Sequence, residues 1–175
     1  MAAQAAKPLV GILMGSDSDY PMMSEAVKTL EKFGIPFEIE VASAHRSPQR
    51  VHDYASTAAD RGLKAIIIAA GGAAHLGGVV AAITTLPVIG VPIASTPLGG
   101  LDSLLSIAQM PAGIPVAAMA IDKAGAANAA IFAAQIIATS DAEVRQRLAA
   151  HKEELARGVT EKNARLQQQI ADGKS

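Results

Sequence analysis

Five short apolar runs recur through the first 121 residues, and a segment of helical character follows each one. They are PLVGILM (8–14), PFEIEV (36–41), KAIIIAA (64–70), PVIGV (87–91) and PVAAMAI (115–121). Strands alternating with helices demand right-handed crossovers and a parallel sheet with helices on both faces. Most of the runs are apolar throughout, as strands covered on two sides must be. PFEIEV alternates apolar and polar side chains, which predicts an edge strand with one wet face.

The intervening segments carry helix punctuation. Asp19 and Pro21 mark the start of a helix to about Phe33, and Gly34 closes it. Ser47 and Pro48 begin a helix expected to last to Arg61, with Gly62 after it. A small-residue helix over roughly 74–84, a short one near 102–109 and an Ala-rich one capped by Asp122 and running to about Ala138 complete the alternation. The fold class expected is α/β: a three-layer, flavodoxin-like parallel sheet of about five strands. At 175 residues, with no linker or repeat, the chain reads as one domain over 1–175 with a flexible stretch at 1–7.

The C-terminal segment differs. Ser140 and Glu143 form an S-x-x-E capping box. Val144, Leu155 and Leu166 are spaced by eleven, as are Leu148, Val159 and Ile170. Eleven residues are close to three helical turns, so both sets share one stripe of a long, straight helix over 141–170. Thirty residues of helix span about 45 Å, more than a domain this size readily covers. Its far end is expected on a neighbouring subunit, with Gly158 the point where it bends or breaks.

Charge supports the same reading. Between Gly62 and Ser140 the only charged side chains are Lys64, Asp102, Asp122 and Lys123. Leu76 to Ala94 has no charge, yet Gly77, Gly78, Pro87, Gly90 and Pro92 break it into helix, turn and strand rather than a membrane span. So long an uncharged stretch is best buried against copies of the chain itself. The net charge of −1 gives no broad attraction to nucleic acid or anionic membrane. Without cysteine there are no disulfides, thiolate metal sites or cysteine nucleophiles. MAAQAAKP lacks the pattern of a secretory signal, so a cytoplasmic protein is expected.

Three polar loops hold the candidate chemistry: GSDSD (15–19), VASAHRSP (41–48) and GGAAHLGG (71–78). In a parallel sheet all three surface at the carboxyl ends of the strands, where such sheets bind ligands. GSDSD reads either as a capped turn or as a phosphate cradle of backbone N–H groups with the Ser16 and Ser18 hydroxyls. It has neither a Walker lysine nor the glycine pattern of a dinucleotide site. Asp19 either caps the helix or meets sugar hydroxyls. Arg46 offers a rigid fork for phosphate, and beside it stands His45, a residue type that can move protons at physiological pH. His75 either caps a helix or touches a ligand. His52 reads as a surface residue, and His151 has no assigned role. No histidine pair has helical i, i+4 ligand spacing and no acidic cluster completes a metal site. The absence of G-x-S-x-G argues against a serine hydrolase.

GSDSD, SAHR-x-P, AGGAAHL (70–76), D-S-L-x-S-I-x-Q-M-P-x-G-I-P-V (102–116) and KAGAANAA (123–130) together closely resemble the 5-(carboxyamino)imidazole ribonucleotide mutase family of purine biosynthesis. The resemblance covers about residues 8–140. It implies a carboxylate shift from the exocyclic nitrogen to ring carbon C4 of an imidazole ribonucleotide, with no metal or organic cofactor. It also implies an octamer with active sites at subunit junctions. By position, Ser16, Ser18, Ser43 and Arg46 would surround the phosphate and Asp19 the ribose. Gly71, Ala73 and His75 would enclose the imidazole, and His45 would be the general acid–base. The related carboxylase branch, which uses free carbon dioxide, typically has lysine after that histidine; Arg46 and GGAAHL argue against it. A non-catalytic nucleotide-binding module would explain GSDSD but leave His45 without a task. The sequence departs from many mutases at Gly77, where they have proline, and at Asp17. Gly77 is expected to loosen the third loop without abolishing activity.

Overall fold

The computed structural model describes residues 7–173. The expected flexible stretch at 1–7 therefore lies, apart from Lys7, outside the described residues.

Five parallel strands form one sheet in the order β2-β1-β3-β4-β5. They are β1 (Val10–Met14), β2 (Phe37–Val41), β3 (Ala65–Gly71), β4 (Val88–Ile93) and β5 (Ala117–Ala118). The helices are α1 (Tyr20–Lys32), α2 (Pro48–Thr57), α3 (Leu76–Ile83), α4 (Leu101–Ala108), α5 (Asp122–Ala138) and α6 (Ala142–Ala171). Alternation along the strands sorts the core into two clusters, because successive side chains leave a strand on opposite faces. Ile12, Ile67, Ile89 and Val91 face α1 and α5, meeting Met23, Leu30, Ala126 and Ala133. Leu13, Ile66, Ile68 and Val88 face the other layer, meeting Val51, Tyr54, Val80 and Ile107. The alanines of α5 let it lie close to the sheet and to α1. Every residue of β1 is buried, as an all-apolar run between two helical layers requires.

Several local expectations change. β2 is an edge strand as predicted, but its wet side is the apolar one. Ile39 and Val41 are exposed, while Glu38 and Glu40 are half-buried against arginines near α2: Arg61 pairs with Glu38 and Arg50 Nε donates to Glu40 at 2.6 Å. α2 ends at Thr57, short of the expected Arg61, and the turn after it places Arg61 4.7 Å from the Tyr54 ring centroid. β5 keeps only two residues of the predicted 115–121.

The caps move too. Ser140 lies in the turn that follows α5, where its N–H reaches Ile137 O, and Asp141 caps α6 by accepting from the Glu143 and Val144 N–H groups. Asp122 does not cap α5; at φ 58 it accepts from Ala94 N–H at 3.0 Å and ties the loop after β4 to the helix start. α6 runs unbroken through Gly158, where an added Cβ would meet open space. Gly77 sits inside α3, not in a loose loop: a Cβ there would meet Ile68 at 3.2 Å and Val116 at 3.4 Å.

α6 docks only by its first half. Val144 is buried and Leu148 packs on the core; Arg147 Nη1 donates to Phe33 O, and Lys32 pairs with Glu154 at 2.5 Å. Beyond that point the stripe is open, with Leu155, Val159, Leu166 and Ile170 at 53%, 67%, 52% and 63% exposure. Among the described residues, no helix is long and apolar enough to cross a membrane.

Candidate active site

Strand order reverses direction between β1 and β3, which places the loops after β1, β2 and β3 around one crevice. A cavity of about 200 Å³ lies there. Ser16, Ser18, Asp19, Ser43, His45, Arg46, Gly71, Ala73 and His75, the nine residues singled out from sequence, all line it. Their contacts with one another explain how three separate loops hold one shape.

In the first loop, Ser16 leaves β1 and opens a single 3-10 turn, Asp17–Asp19. Ser16 N–H donates to Asp19 Oδ2 at 3.1 Å, while Ser16 Oγ accepts from Ser18 N–H at 3.3 Å. This is a capping box, so Asp19 closes the turn behind it and makes no side-chain cap to α1. Ser18 Oγ donates to Ser16 Oγ at 2.8 Å. Asp19 is buried, and burial holds its carboxyl above its ordinary range; the Ser16 N–H and the Arg46 charge pull the other way.

In the second loop, Ser47 was expected to cap α2. Its hydroxyl instead turns back on the loop, accepting from Ser43 N–H at 2.9 Å and donating to Ser43 O at 3.2 Å. Arg46 N–H donates to Ser43 Oγ at 3.3 Å. These bonds fold SAHRS into a tight turn that presents His45 and Arg46 together.

Two bonds join the loops. Arg46 Nη2 donates to Gly15 O at 2.9 Å, linking the second loop to the first. His45 Nε2 lies 2.8 Å from His75 Nδ1, linking the second to the third, with the rings edge-on at 77° and 5.0 Å between centroids. His75 occupies the cap position of α3 but makes no side-chain cap bond, so its ring is free to face His45. Among the described residues, no three histidine, aspartate or glutamate side chains group as metal ligands.

Gly15, Ala44, Ala70, Leu76 and Ser95 also line the cavity, and sequence reasoning missed them. Four lie inside motifs already marked, at positions given no role of their own. Ser95 belongs to the loop after β4, and the signal for it was its place just beyond the carboxyl end of a central strand. It also explains a glycine: a Cβ on Gly71 would lie 2.0 Å from Ser95 Oγ, so only glycine lets β3 and this loop close together. His52 lies on α2 with its side chain mostly in solvent, and His151 packs edge-on against Phe33 at the α6 junction, far from these loops in the fold.

The arrangement pairs anion-binding groups, serine hydroxyls and a guanidinium, with an imidazole. It suits a phosphorylated substrate that exchanges a proton. The solved structure of Treponema denticola PurE superposes with a TM-score of 0.81 at 32% identity, covering 91% of this chain and 98% of that one. The N5-carboxyaminoimidazole ribonucleotide mutase of Pyrococcus horikoshii is 53% identical over 96% of this chain and 94% of its own length. The protein of the same name from Bacillus subtilis is 51% identical over 91% and 99%. The profile of AIR carboxylase matches residues 9–158, and the chain belongs to that family.

Proposed function

We propose that this chain is an N5-carboxyaminoimidazole ribonucleotide mutase of de novo purine biosynthesis. The observation that carries the reading is His45 and Arg46 on one turn, facing the serine loop across a single cavity. The names of relatives at 51–57% identity support it over the carboxylase and binding-module alternatives.

In this reading Ser16, Ser18, Ser43 and the free donors of Arg46 take the phosphate. Asp19, with Oδ2 committed to Ser16, offers Oδ1 to the ribose. Gly71, Ala73 and His75 close over the imidazole. The bond from the exocyclic nitrogen to the carboxylate carbon breaks, its electron pair staying on nitrogen, and His45 supplies the proton that nitrogen takes. Carbon dioxide stays in the pocket, C4 attacks it, and the C4 proton returns to His45. The proton count balances and nothing is oxidised, so the reading calls for no metal or organic cofactor. A closed, dry pocket would keep carbon dioxide from escaping.

The assembly we propose is a homo-octamer, in the cytoplasm, without nucleic acid or membrane partners. The apolar residues left exposed support it: Leu98, Leu101 and Leu105 at α4, Phe132 on α5 and the outer stripe of α6. Surfaces of that kind belong between subunits.

The test is single-turnover conversion of substrate with labelled carboxylate, with unlabelled bicarbonate in excess. Label retained in the C4-carboxylated product supports the mutase. Label lost to solvent, with equal product from aminoimidazole ribonucleotide and bicarbonate, moves the chain to the carboxylase branch. His45→Asn is expected to lose about 10²–10⁴-fold in turnover, the range for a general acid–base; full activity would end the assignment.

A further inference from the structure

We propose that the outer half of α6 pairs, antiparallel, with the same half of α6 on a second copy of this chain, about a two-fold axis between Lys162 and Asn163. The pairing rests on the self-association proposed above and names the surfaces that meet.

The stripe is its own mirror along the chain. Leu155 and Ile170 lie equally far from the midpoint of Lys162 and Asn163, and so do Val159 and Leu166. A two-fold contact is self-complementary: residue i meets j while j meets i. A stripe that packs on itself reversed needs this symmetry. Leu155 then faces Ile170 of the partner subunit, and Val159 faces the partner subunit's Leu166. The polar break in the stripe falls on the axis, so Lys162 and Asn163 face each other rather than an apolar side chain. A polar position inside an apolar seam fixes register in this way.

Charge selects the same direction. Glu161 is the only carboxylate between Val159 and Ile170. Antiparallel pairing sets it one residue from the place opposite the partner's Arg165, and symmetry repeats the ion pair on the other side of the axis. A parallel pair in register would instead set Lys162 on Lys162 and Arg165 on Arg165, like charge against like.

The fold leaves room for the partner. Every residue from 159 to 173 is exposed. Met119, Ile131, Phe132 and Leu155 line a groove of about 320 Å³ between α5 and α6. The antiparallel register brings Ile170 of the partner subunit to Leu155, at this groove, where Phe132 is left open to be covered. The stripe and the groove thus form one continuous surface, and each copy supplies both. Size limits what the pair does alone. A helix contact from 155 to 170 is about 24 Å long and about 10 Å wide, so it covers about 240 Å² per chain, far below the ~800 Å² per partner of a stable interface. The α6 pair is therefore one contact within a larger assembly, and the apolar residues at α4 serve others.

The test is cross-linking in the full-length chain, which has no cysteine of its own. Leu155→Cys and Ile170→Cys are expressed singly and together, oxidised mildly, and the linked peptides mapped. Both positions are exposed, so neither change cuts into the core. The co-expressed pair is expected to give a 155–170 cross-linked dimer, and either variant alone none. Adding Val159→Glu to both chains should cut the yield about 10-fold, because a carboxylate would then be set against Leu166. A cross-link of either variant with itself means another register and overturns the pairing, as does a yield that ignores Val159→Glu. No cross-link in the mixture overturns it too. Sedimentation of wild type then separates two failures: a particle larger than one chain keeps the assembly through other faces, while a monomer ends the octamer reading as well. Turnover is not the readout, so the result stands apart from the mutase reading.

Discussion

β3 and α6 are the two most regular stretches of the chain, and they stand at opposite ends of burial. Six of the seven residues of β3 are buried; of the thirty in α6 only Val144 is. Both follow a clear apolar pattern. β3 finds its partners in β1, β4 and two helical layers of the same chain, whereas the outer α6 stripe finds none past the Lys32–Glu154 pair. Regular spacing therefore specifies that a face will be covered, but not by which molecule. The strands also carry the site: Gly71 ends β3, and the loop it opens brings His75 to His45.

The largest effect should come from cutting into β3. Ile67→Ala removes a fully buried side chain and is expected to cost about 2–5 kcal/mol by denaturant unfolding, with activity lost in step because the third loop hangs on that strand. A cost below about 0.5 kcal/mol would mean β3 is not the centre of the core.

A smaller contrast lies within α6 itself. Val144→Ala should cost about 1–2 kcal/mol from lost methyl groups at a buried position. Leu166→Ala, half exposed on the same stripe, should change monomer stability by under about 0.5 kcal/mol while weakening self-association in sedimentation. Equal stability losses at both would show that the far half of α6 is already covered within one chain.

The smallest effects are in pH, and their signs oppose. Burial raises the Asp19 carboxyl, so the native state holds that proton more tightly than the unfolded chain. Its contribution favours folding below the ordinary Asp range and is lost as pH rises from near ~3.9 through the raised native value. Asp19→Asn should remove that loss while its amide oxygen still accepts from Ser16. Glu154 is lowered by its bond and charge contact with Lys32, so its contribution is present above the ordinary Glu range and lost as pH falls through the lowered value. Unfolding curves between acid and neutral pH should show Asp19→Asn gaining on wild type as pH rises and Glu154→Gln falling behind it. The same sign at both positions would break the contrast between a buried site carboxylate and an exposed docking one.

Much of this molecule was legible in its residues. The strand–helix alternation determined a parallel sheet, the wholly apolar runs its two-sided burial, and the loop positions the edge where His45, Arg46 and the serines would meet. Those signals are local, or follow from the handedness of crossovers. What only the tertiary structure decided was which polar atom bonds to which. Asp19 closes its own turn, Ser47 folds back on Ser43, Asp122 reaches across to Ala94, and Asp141 takes the cap that Ser140 was expected to hold. Short polar side chains have several partners within reach along the chain, at similar energies. Packing chooses among them by bringing distant backbone near. The His45–His75 contact has the same origin: thirty residues separate the two rings, and only the adjacency of the loops after β2 and β3 brings them within a hydrogen bond.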